Sequence, residues 1–271
     1  SNHTTDKKNK KKSFGFKKFF LALLTLFIVV FLGVGCGLVA IGLDGDKDVS
    51  DIHPPASSQI LDMNGNLITN IHATENRTLV TLDKIPANLQ NAFIAVEDNR
   101  FYEHNGIDPR GIFRAIYSNL TSGEVAEGGS TITQQLAKNA FLSQDRTFKR
   151  KIQEFFIALR LERQYTKEEI LEMYLNQIYF GRGAYGVQAA AQTYFGKDVS
   201  QLDLSECAML AGIPRSPNYY SPLNNLGAAN ERKAEVLDQM VKYGYIDSTT
   251  AAKTKAESLR LVNPKEQEND N

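Results

Sequence analysis

Pro86-Ala87-Asn88-Leu89-Gln90-Asn91-Ala92-Phe93-Ile94-Ala95-Val96-Glu97-Asp98 reads as a helix with one apolar stripe and a carboxylate pair at its end. Pro86 suits the first helical position, and Leu89, Ala92, Phe93 and Val96 recur at i, i+3, i+4 and i+7. Glu97 and Asp98 fall just beyond that stripe, at the negative end of the helix dipole. Carboxylates placed against a local preference mark candidate functional positions, although an acidic pair is more often plain solvated surface. Helical patterns continue almost to the end of the chain, so the expected fold class is mainly α.

Downstream, Gly111 to Leu120 is amphipathic, with Ile112, Phe113, Ile116 and Leu120 on one side; it is either a core face or an apolar lip resting on a bilayer. Gly128-Gly129-Ser130 opens the next helix, with Ser130 as the expected cap and free N–H groups that favour an anion. Thr131, Gln134 and Lys138 then form a polar stripe ending in lysine, while Ile132 and Leu136 point elsewhere. A helix from about Thr147 to Gln164 has Ile152, Phe155, Phe156 and Leu159 as its main apolar stripe. Glu154 lies on another side with Ile157, Ala158 and Leu161, and a carboxylate in such company needs a partner or a function. Arg150, one turn earlier, is the expected partner, in a pair that is either purely structural or part of a site.

Thr166-Lys167-Glu168-Glu169 is a capping box leading to Ile170, Tyr174 and Ile178 at four-residue spacing. Gly181-Arg182-Gly183-Ala184-Tyr185-Gly186 is glycine-rich but has no βαβ context, so it is no nucleotide fingerprint. Further helices are expected at about Val187–Tyr194, Ser205–Ala211 and Ala228–Tyr243, with Pro214-Arg215-Ser216-Pro217 as a rigid turn.

Upstream of Pro86 the patterns change. Residues 44–84 read as a linker, in which Ser58 to Ile68 forms two short apolar runs around Asn64-Gly65 and Arg77 to Leu82 is a third candidate strand. No charge occurs from Phe19 to Leu43, which is long enough to span a bilayer. Seven lysines precede it (Lys7, Lys8, Lys10, Lys11, Lys12, Lys17 and Lys18) and Asp44, Asp46 and Asp48 follow, which places the N-terminus in the cytoplasm and the rest outside. A cleaved signal peptide has a shorter apolar core, and Gly33-Val34-Gly35 is a poor match for a lipoprotein site at Cys36.

The totals exclude several classes. With 42% apolar and 23% charged residues the 271-residue chain is not disordered as a whole. Its formal net charge is zero and its one basic block sits in the first eighteen residues, which argues against nucleic acid as the main partner. Cys36 and Cys207 alone give neither a disulfide framework nor a cysteine metal site, and Cys207 reads as a core thiol. His3, His53, His72 and His104 show no paired ligand spacing, so a zinc site is not expected.

Five blocks occur in a telling order: Glu97-Asp98 to Asp108; Gly129-Ser130-Thr131-Ile132-Thr133-Gln134-Gln135 to Asn139; Arg150-Lys151 to Glu154; Lys167 with Ile170-Leu171 and Tyr174-Leu175-Asn176; and Tyr194-Phe195-Gly196 through Leu210-Ala211-Gly212-Ile213-Pro214. Together they resemble the family 51 peptidoglycan glycosyltransferase domain of class A penicillin-binding proteins and monofunctional glycosyltransferases, over about residues 58 to 258. The Ile60 to Gly65 entry and the Tyr243 to Ile246 exit look more like the bifunctional proteins, yet no Ser-x-x-Lys is present, so the chain is expected to stop before a transpeptidase domain.

The resemblance implies a lysozyme-like, two-lobed glycosyltransferase domain at 85–258, behind a cytoplasmic tail (1–18), a transmembrane helix (19–43) and the small β linker (44–84), with a C-terminal tail at 259–271. It implies polymerisation of lipid II into β-1,4-linked glycan with release of undecaprenyl pyrophosphate and inversion at the anomeric carbon. Glu97 resembles the catalytic base, which an alcohol nucleophile needs within hydrogen-bond reach. Glu154 resembles the second catalytic glutamate, which orients the donor, holds a divalent cation or positions the surrounding cations.

Lys138, Arg146 and Arg150 would steady the departing diphosphate. Thr131, Gln134 and Gln135 would bind sugar or phosphate oxygens, and Asp98, His104, Ser130 and Lys151 complete the implied substrate-binding set. No protein metal site is implied, and the only cofactor contemplated is a divalent cation, Mg or Mn, with the pyrophosphate. The implied partners are lipid II, the growing lipid-linked glycan, the membrane and other cell-wall synthesis proteins, with the catalytic domain outside a single-pass anchor.

Two other classes fit the carboxylate pair. A muramidase or lytic transglycosylase would cleave glycan, but an uncharged glycosidic bond gives no use for Lys138, Arg146 and Arg150. A non-catalytic scaffold binding cell-wall precursors would have no need of both Glu97 and Glu154.

Overall fold

The computed structural model describes residues 58–61, 67–71, 76–122, 128–142 and 147–262, all within a compact unit spanning Lys47–Asn271. The basic tail, the apolar run at 19–43, the Asn64-Gly65 turn and Lys265 to Asn271 lie outside the described residues. Among the described residues, no helix is long and apolar enough to cross a membrane.

The chain is mainly helical. In order it forms β1 (Ser58–Leu61), β2 (Leu67–Ile71), β3 (Asn76–Arg77), α1 (Ala87–Glu97), α2 (Pro109–Ser122), α3 (Ile132–Phe141), α4 (Phe148–Gln164), α5 (Lys167–Gln177), β4 (Ala184–Tyr185), α6 (Val187–Phe195), α7 (Leu204–Gly212), α8 (Leu226–Lys242) and α9 (Ser248–Ala256). Strands β1 and β2 pair antiparallel from Ser58 opposite Ile71, with a bulge between Ile60 and Leu61. Strand β3 pairs parallel with β4.

The third expected strand, Arg77 to Leu82, is not one: only Arg77 of that stretch lies in a strand, and Leu82–Lys84 is a single 3-10 turn. Side chains of α5 replace a partner strand there. Asn176 accepts from the Val80 N–H at 2.9 Å and donates to the Val80 carbonyl at 2.8 Å, and Glu172 accepts from the Leu82 N–H at 2.7 Å. A segment satisfied by side chains has no need of a ladder.

Helix α1 starts after Pro86, which serves as its cap rather than its first residue. Leu89, Ala92 and Phe93 are buried as the spacing predicts, and Ile94 and Ala95 are buried too, because α7 and α8 pack on α1. Phe93 sits edge-on to Tyr174 and Phe180 at 5.9 and 6.1 Å. Burying a side chain of that size contributes about 1.5–3 kcal/mol. Helix α3 packs on both α4 and α5, and Thr166 with Glu169 forms the expected capping box of α5. Cys207 is a buried free thiol whose pKa burial pushes up.

The orientation of α4 reverses the expectation. Glu154, Ile157, Ala158 and Leu161 are its buried face, whereas Phe155 of the expected main stripe is 40% exposed and Phe148 is 78% exposed. Ile152, Phe156 and Leu159 of that stripe are half-buried at the edges of the helix. Helix α2 also turns large apolar side chains outward, with Phe113, Tyr117 and Leu120 standing in solvent and Ala115 and Gly111 turned inward.

The C-terminal region stays attached to the body. Lys233 on α8 is 1% exposed, and its ammonium donates to Ser205 Oγ at 3.2 Å and to the carbonyls of Thr254 at 3.4 Å and Glu257 at 3.1 Å. Burial lowers its pKa, opposed by the charges of Glu257 and Asp203. Leu259 and Leu261 pack against the core, and the Val262 N–H donates to the Tyr194 carbonyl at 2.9 Å.

Candidate active site

Glu97 is the last residue of α1 and opens onto a cleft of about 630 Å³. Of the residues expected from the sequence, Glu97, Ser130, Gln135 and Lys138 line it. A second cavity of about 420 Å³ adjoins it and shares Glu97, Gly128, Arg215 and Arg232 while adding Asp98, Asn99 and Arg114. Glu97 therefore stands where the two cavities meet.

A relay of hydrogen bonds holds Glu97. The Tyr174 hydroxyl donates to Gln135 Oε1 at 3.3 Å, and Gln135 Nε2 donates to Glu97 Oε2 at 2.8 Å. Full burial pushes the Tyr174 pKa up, and the charges of Glu97 and Asp98 push it further, so the phenol keeps the proton it donates. Gln135 thus touches the carboxylate while also lining the cleft.

Asp98 is the C-cap of α1 and is buried. Both of its oxygens lie 2.9 Å from His104 Nε2, and Oδ2 also accepts from the Ile132 N–H at 3.0 Å. The anion expected at the start of α3 is therefore the protein's own Asp98. His104 is buried, with its Nδ1 unpartnered among the described residues. Arg100 forks onto Asp108 on the same loop.

Two expectations for α3 need correction. Its cap is Thr131, not Ser130, and Thr131 with Gln134 closes a capping box. Thr131 Oγ1 also donates to the Gly106 carbonyl at 2.6 Å. Thr131 and Gln134 are buried, so the residues of α3 that face the cleft are Gln135, Lys138 and Asn139. Of the expected polar stripe only Lys138 faces the cleft, joined there by Gln135 and Asn139, because the cap occupies the side chains of Thr131 and Gln134.

Glu154, 2% exposed, is paired with Lys151 rather than Arg150. Lys151 Nζ also donates to Ser130 Oγ at 2.8 Å, which ties α4 to the loop before α3. Arg150 Nε is buried with no hydrogen-bond partner among the described residues. Lys138 lies within electrostatic reach of both carboxylates. Burial lowers its pKa, Glu154 and Glu97 oppose that, and Arg150 and Lys151 reinforce it, so all four groups act on one ammonium. Arg146 lies outside the described residues.

The sequence reading passed over other lining residues. Gln177, Tyr179, Tyr185, Arg215 and Arg232 all border the cleft. Tyr185 and Arg215 lay in the glycine-rich loop and the proline-flanked turn already noted, but Arg232 gave no local signal on a helix rich in charge. Among the described residues no group of three or more His, Cys, Asp or Glu side chains is placed to hold a metal. A cation joining Glu154 to a diphosphate would compete with Lys151 for that carboxylate.

A family model described as Transglycosylase matches residues 64–241, and the chain belongs to that family. Residues 64–241 thus form a transglycosylase-family domain, as the order of the motifs implied. It is 45% identical over 256 residues to penicillin-binding protein 1F of Bacillus subtilis, covering 93% of this chain and 35% of that protein. It is 46% identical over 247 residues to penicillin-binding protein 1A of Escherichia coli, covering 90% of this chain and 29% of that one. A putative transglycosylase of Cupriavidus necator is 47% identical over 182 residues, 67% of this chain and 78% of that protein. The chain spans about a third of the length of the penicillin-binding proteins it matches.

Proposed function

We propose that this domain polymerises lipid II, transferring a lipid-linked glycan onto the 4-hydroxyl of a second lipid-linked saccharide. The observation that carries this reading is the position of Glu97 at the junction of two cavities, one of which also presents Lys138. A transfer reaction needs room for two substrates and a base between them.

In this reading the Glu97 carboxylate takes the proton of the acceptor hydroxyl as its oxygen attacks the donor's anomeric carbon. The bond from that carbon to the diphosphate oxygen breaks, and undecaprenyl pyrophosphate leaves with the electron pair. Attack from the opposite face inverts the carbon and gives the β-1,4 linkage. Lys138, which lines the larger cavity, and Arg150, whose charge reaches Lys138, would counter the charge that gathers on the leaving group. Glu154 holds Lys151, and through it Ser130, in register with those cations. Gln135 and Tyr174 fix the direction of Glu97, while Asp98 and His104 fix the start of α3, which carries Gln135 and Lys138.

Both substrates are lipid-linked, so the domain works at a bilayer. The apolar run at 19–43 would anchor it with the catalytic domain outside, in a two-lobed, lysozyme-like arrangement, and the exposed Phe113, Tyr117 and Leu120 would rest on lipid. Other cell-wall synthesis proteins would act on the strands it makes.

The test is to supply purified lipid II and separate the products by length. Long glycan strands are expected, and Glu97→Gln should lower their formation by ~10²–10⁴-fold, the usual contribution of a positioned base, with an unchanged thermal transition. Polymerisation at the parent rate by Glu97→Gln removes Glu97 as the base, and cleavage of existing glycan would favour the lytic reading.

A further inference from the structure

Glu162 and Lys167 carry their charges at helix ends that disfavour both. Glu162 lies in the last turn of α4, at the negative end of its dipole, and Lys167 is the first residue of α5, at the positive end of the next. Both side chains are also largely withdrawn from water, 6% and 17% exposed. Charges held against the dipole and against solvation call for a reason beyond local stability.

Lys167 Nζ donates to Glu162 Oε1 at 2.7 Å, and the same oxygen accepts from Thr133 Oγ1 at 2.5 Å. Thr133 stands two residues before Gln135 on α3, and Tyr174 stands two turns after Lys167 on α5. The Glu162 carboxylate thus joins α4 to both helices that supply the hydrogen-bond relay of Glu97. The Lys167 ammonium also lies over the Phe101 ring, 4.5 Å from its centroid. Phe101 is fully buried on the loop that leaves Glu97, and its ring meets His104 edge-on at 6.3 Å. His104 in turn holds Asp98, the residue after Glu97. Further along the loop, Gly106 at φ of 87° packs so closely on α4 that a β-carbon would lie 3.0 Å from both the Ala158 carbonyl oxygen and Glu162 Cγ.

We propose that Lys167 is a positioning residue for Glu97. Held between the Glu162 carboxylate and the Phe101 ring, its ammonium fixes the loop from Asn99 to Asp108 and, through His104 and Asp98, the end of α1 that carries the base. That Glu97 is the base rests on the transferase reading given above. A cation over an aromatic ring is attracted more strongly when desolvated, and a low local dielectric stiffens the hydrogen bonds around it. Neither Lys167 nor Glu162 lines either cavity, whereas Asp98 and Asn99 do line the second. Any effect of the ion pair on the reaction therefore passes through the loop.

The experiment compares the parent with Lys167→Met and with Lys167→Met combined with Glu162→Gln. Lys167→Met alone strands a buried carboxylate and should lower the thermal transition. Adding Glu162→Gln removes that charge, keeps an oxygen for Thr133, and should restore the transition, as neutral replacement of a buried pair commonly does. The amides of Phe101 and Glu103, which donate to the Asp98 and Arg100 carbonyls at 2.9 and 2.8 Å, report on the loop. In the double variant their hydrogen exchange should quicken by roughly 5- to 30-fold, the worth of one partly desolvated cation over a ring. Polymerisation of lipid II should lose roughly 10- to 100-fold in kcat, the order set by an ångström of misplacement, with KM and affinity for moenomycin unchanged.

The clamp is overturned if the double variant exchanges these amides at the parent rate, or if it polymerises with the parent kcat. It is equally overturned if kcat and moenomycin affinity fall together, the signature of a cleft distorted as a whole. Should the double variant not regain the parent's thermal transition, Phe101→Leu, which leaves the ion pair and removes only the ring, is judged by the same measurements. A parent protein that makes no polymer from lipid II sinks the polymerase reading, and the exchange rates of the loop then decide the clamp without it.

Discussion

Replacing Asp98 with alanine tests whether this carboxylate is part of the framework or a ligand for substrate. Its oxygens accept from His104 Nε2 at 2.9 Å and from the Ile132 N–H at 3.0 Å, and the residue is 7% exposed. Two hydrogen bonds to a buried charge contribute ~1.5–3 kcal/mol each, and removing one member of a buried ionic cluster typically costs ~3–5 kcal/mol. Asp98→Ala should therefore lose about 3–5 kcal/mol, since it leaves both the imidazole and the first N–H of α3 without an acceptor. For a domain of this size that is a fall of roughly 6–20 °C in the transition followed by circular dichroism.

Asp98→Asn keeps one oxygen for Ile132 but turns an amide toward His104, so it should cost less, ~1–3 kcal/mol. Activity should fall in both variants because α3 carries Gln135 and Lys138. A melting temperature for Asp98→Ala within about 2 °C of the parent, less than a loss of about 1 kcal/mol would give, together with weakened substrate binding, would refute the reasoning and return Asp98 to the substrate.

Burial holds Lys138 below the usual lysine pKa, and a bound diphosphate would favour its charged form. Affinity for a phosphoglycolipid such as moenomycin should thus be steady below the lowered pKa of Lys138 and decline as pH rises through it. Lys138→Arg, which keeps its charge, should hold affinity further into the alkaline range in calorimetric titrations. The sign for folding is opposite: the buried ammonium opposes stability at low pH, and that cost is relieved as pH climbs from the folded toward the unfolded value. Gly186→Ala should lower stability by at least ~1–2 kcal/mol from its positive φ alone, and chemical denaturation would show it as a reduced midpoint. Replacing both Phe113 and Leu120, 74% and 79% exposed, by serine should reduce partitioning onto anionic vesicles at least ~10-fold; unchanged sedimentation with vesicles would detach this face from lipid.

Features written in short-range code were legible in the sequence. The Thr166 to Glu169 box, the end of α1 at Glu97 and the core role of Leu89, Ala92 and Phe93 depend on neighbours within two turns, and each is found where the spacing puts it. Features decided by distant partners were not. Nothing near Asp98 indicates that it accepts from Ile132, and nothing near Val80 indicates Asn176. Lys151 and Arg150 are both one turn from Glu154, and only packing decides between them. The half-buried stripe of α4 (Ile152, Phe155, Phe156 and Leu159) carries more large apolar side chains than its fully buried face, so counting apolar residues ranks the two the wrong way round. Helix α9, Ser248–Ala256, is rich in alanine, threonine and lysine without a clear stripe, and it escaped notice for that reason.

The buried Lys233 fixes where this domain can be cut. The family match stops at residue 241, yet the acceptors that satisfy the ammonium include the carbonyls of Thr254 and Glu257. A fragment trimmed to the matched region would strand a positive charge in an apolar interior and uncover the hydrophobic seat of Leu259 and Leu261. The physical border of the catalytic body is drawn by one lysine's appetite for oxygen, which reaches Glu257, 16 residues past residue 241 where motif similarity ends.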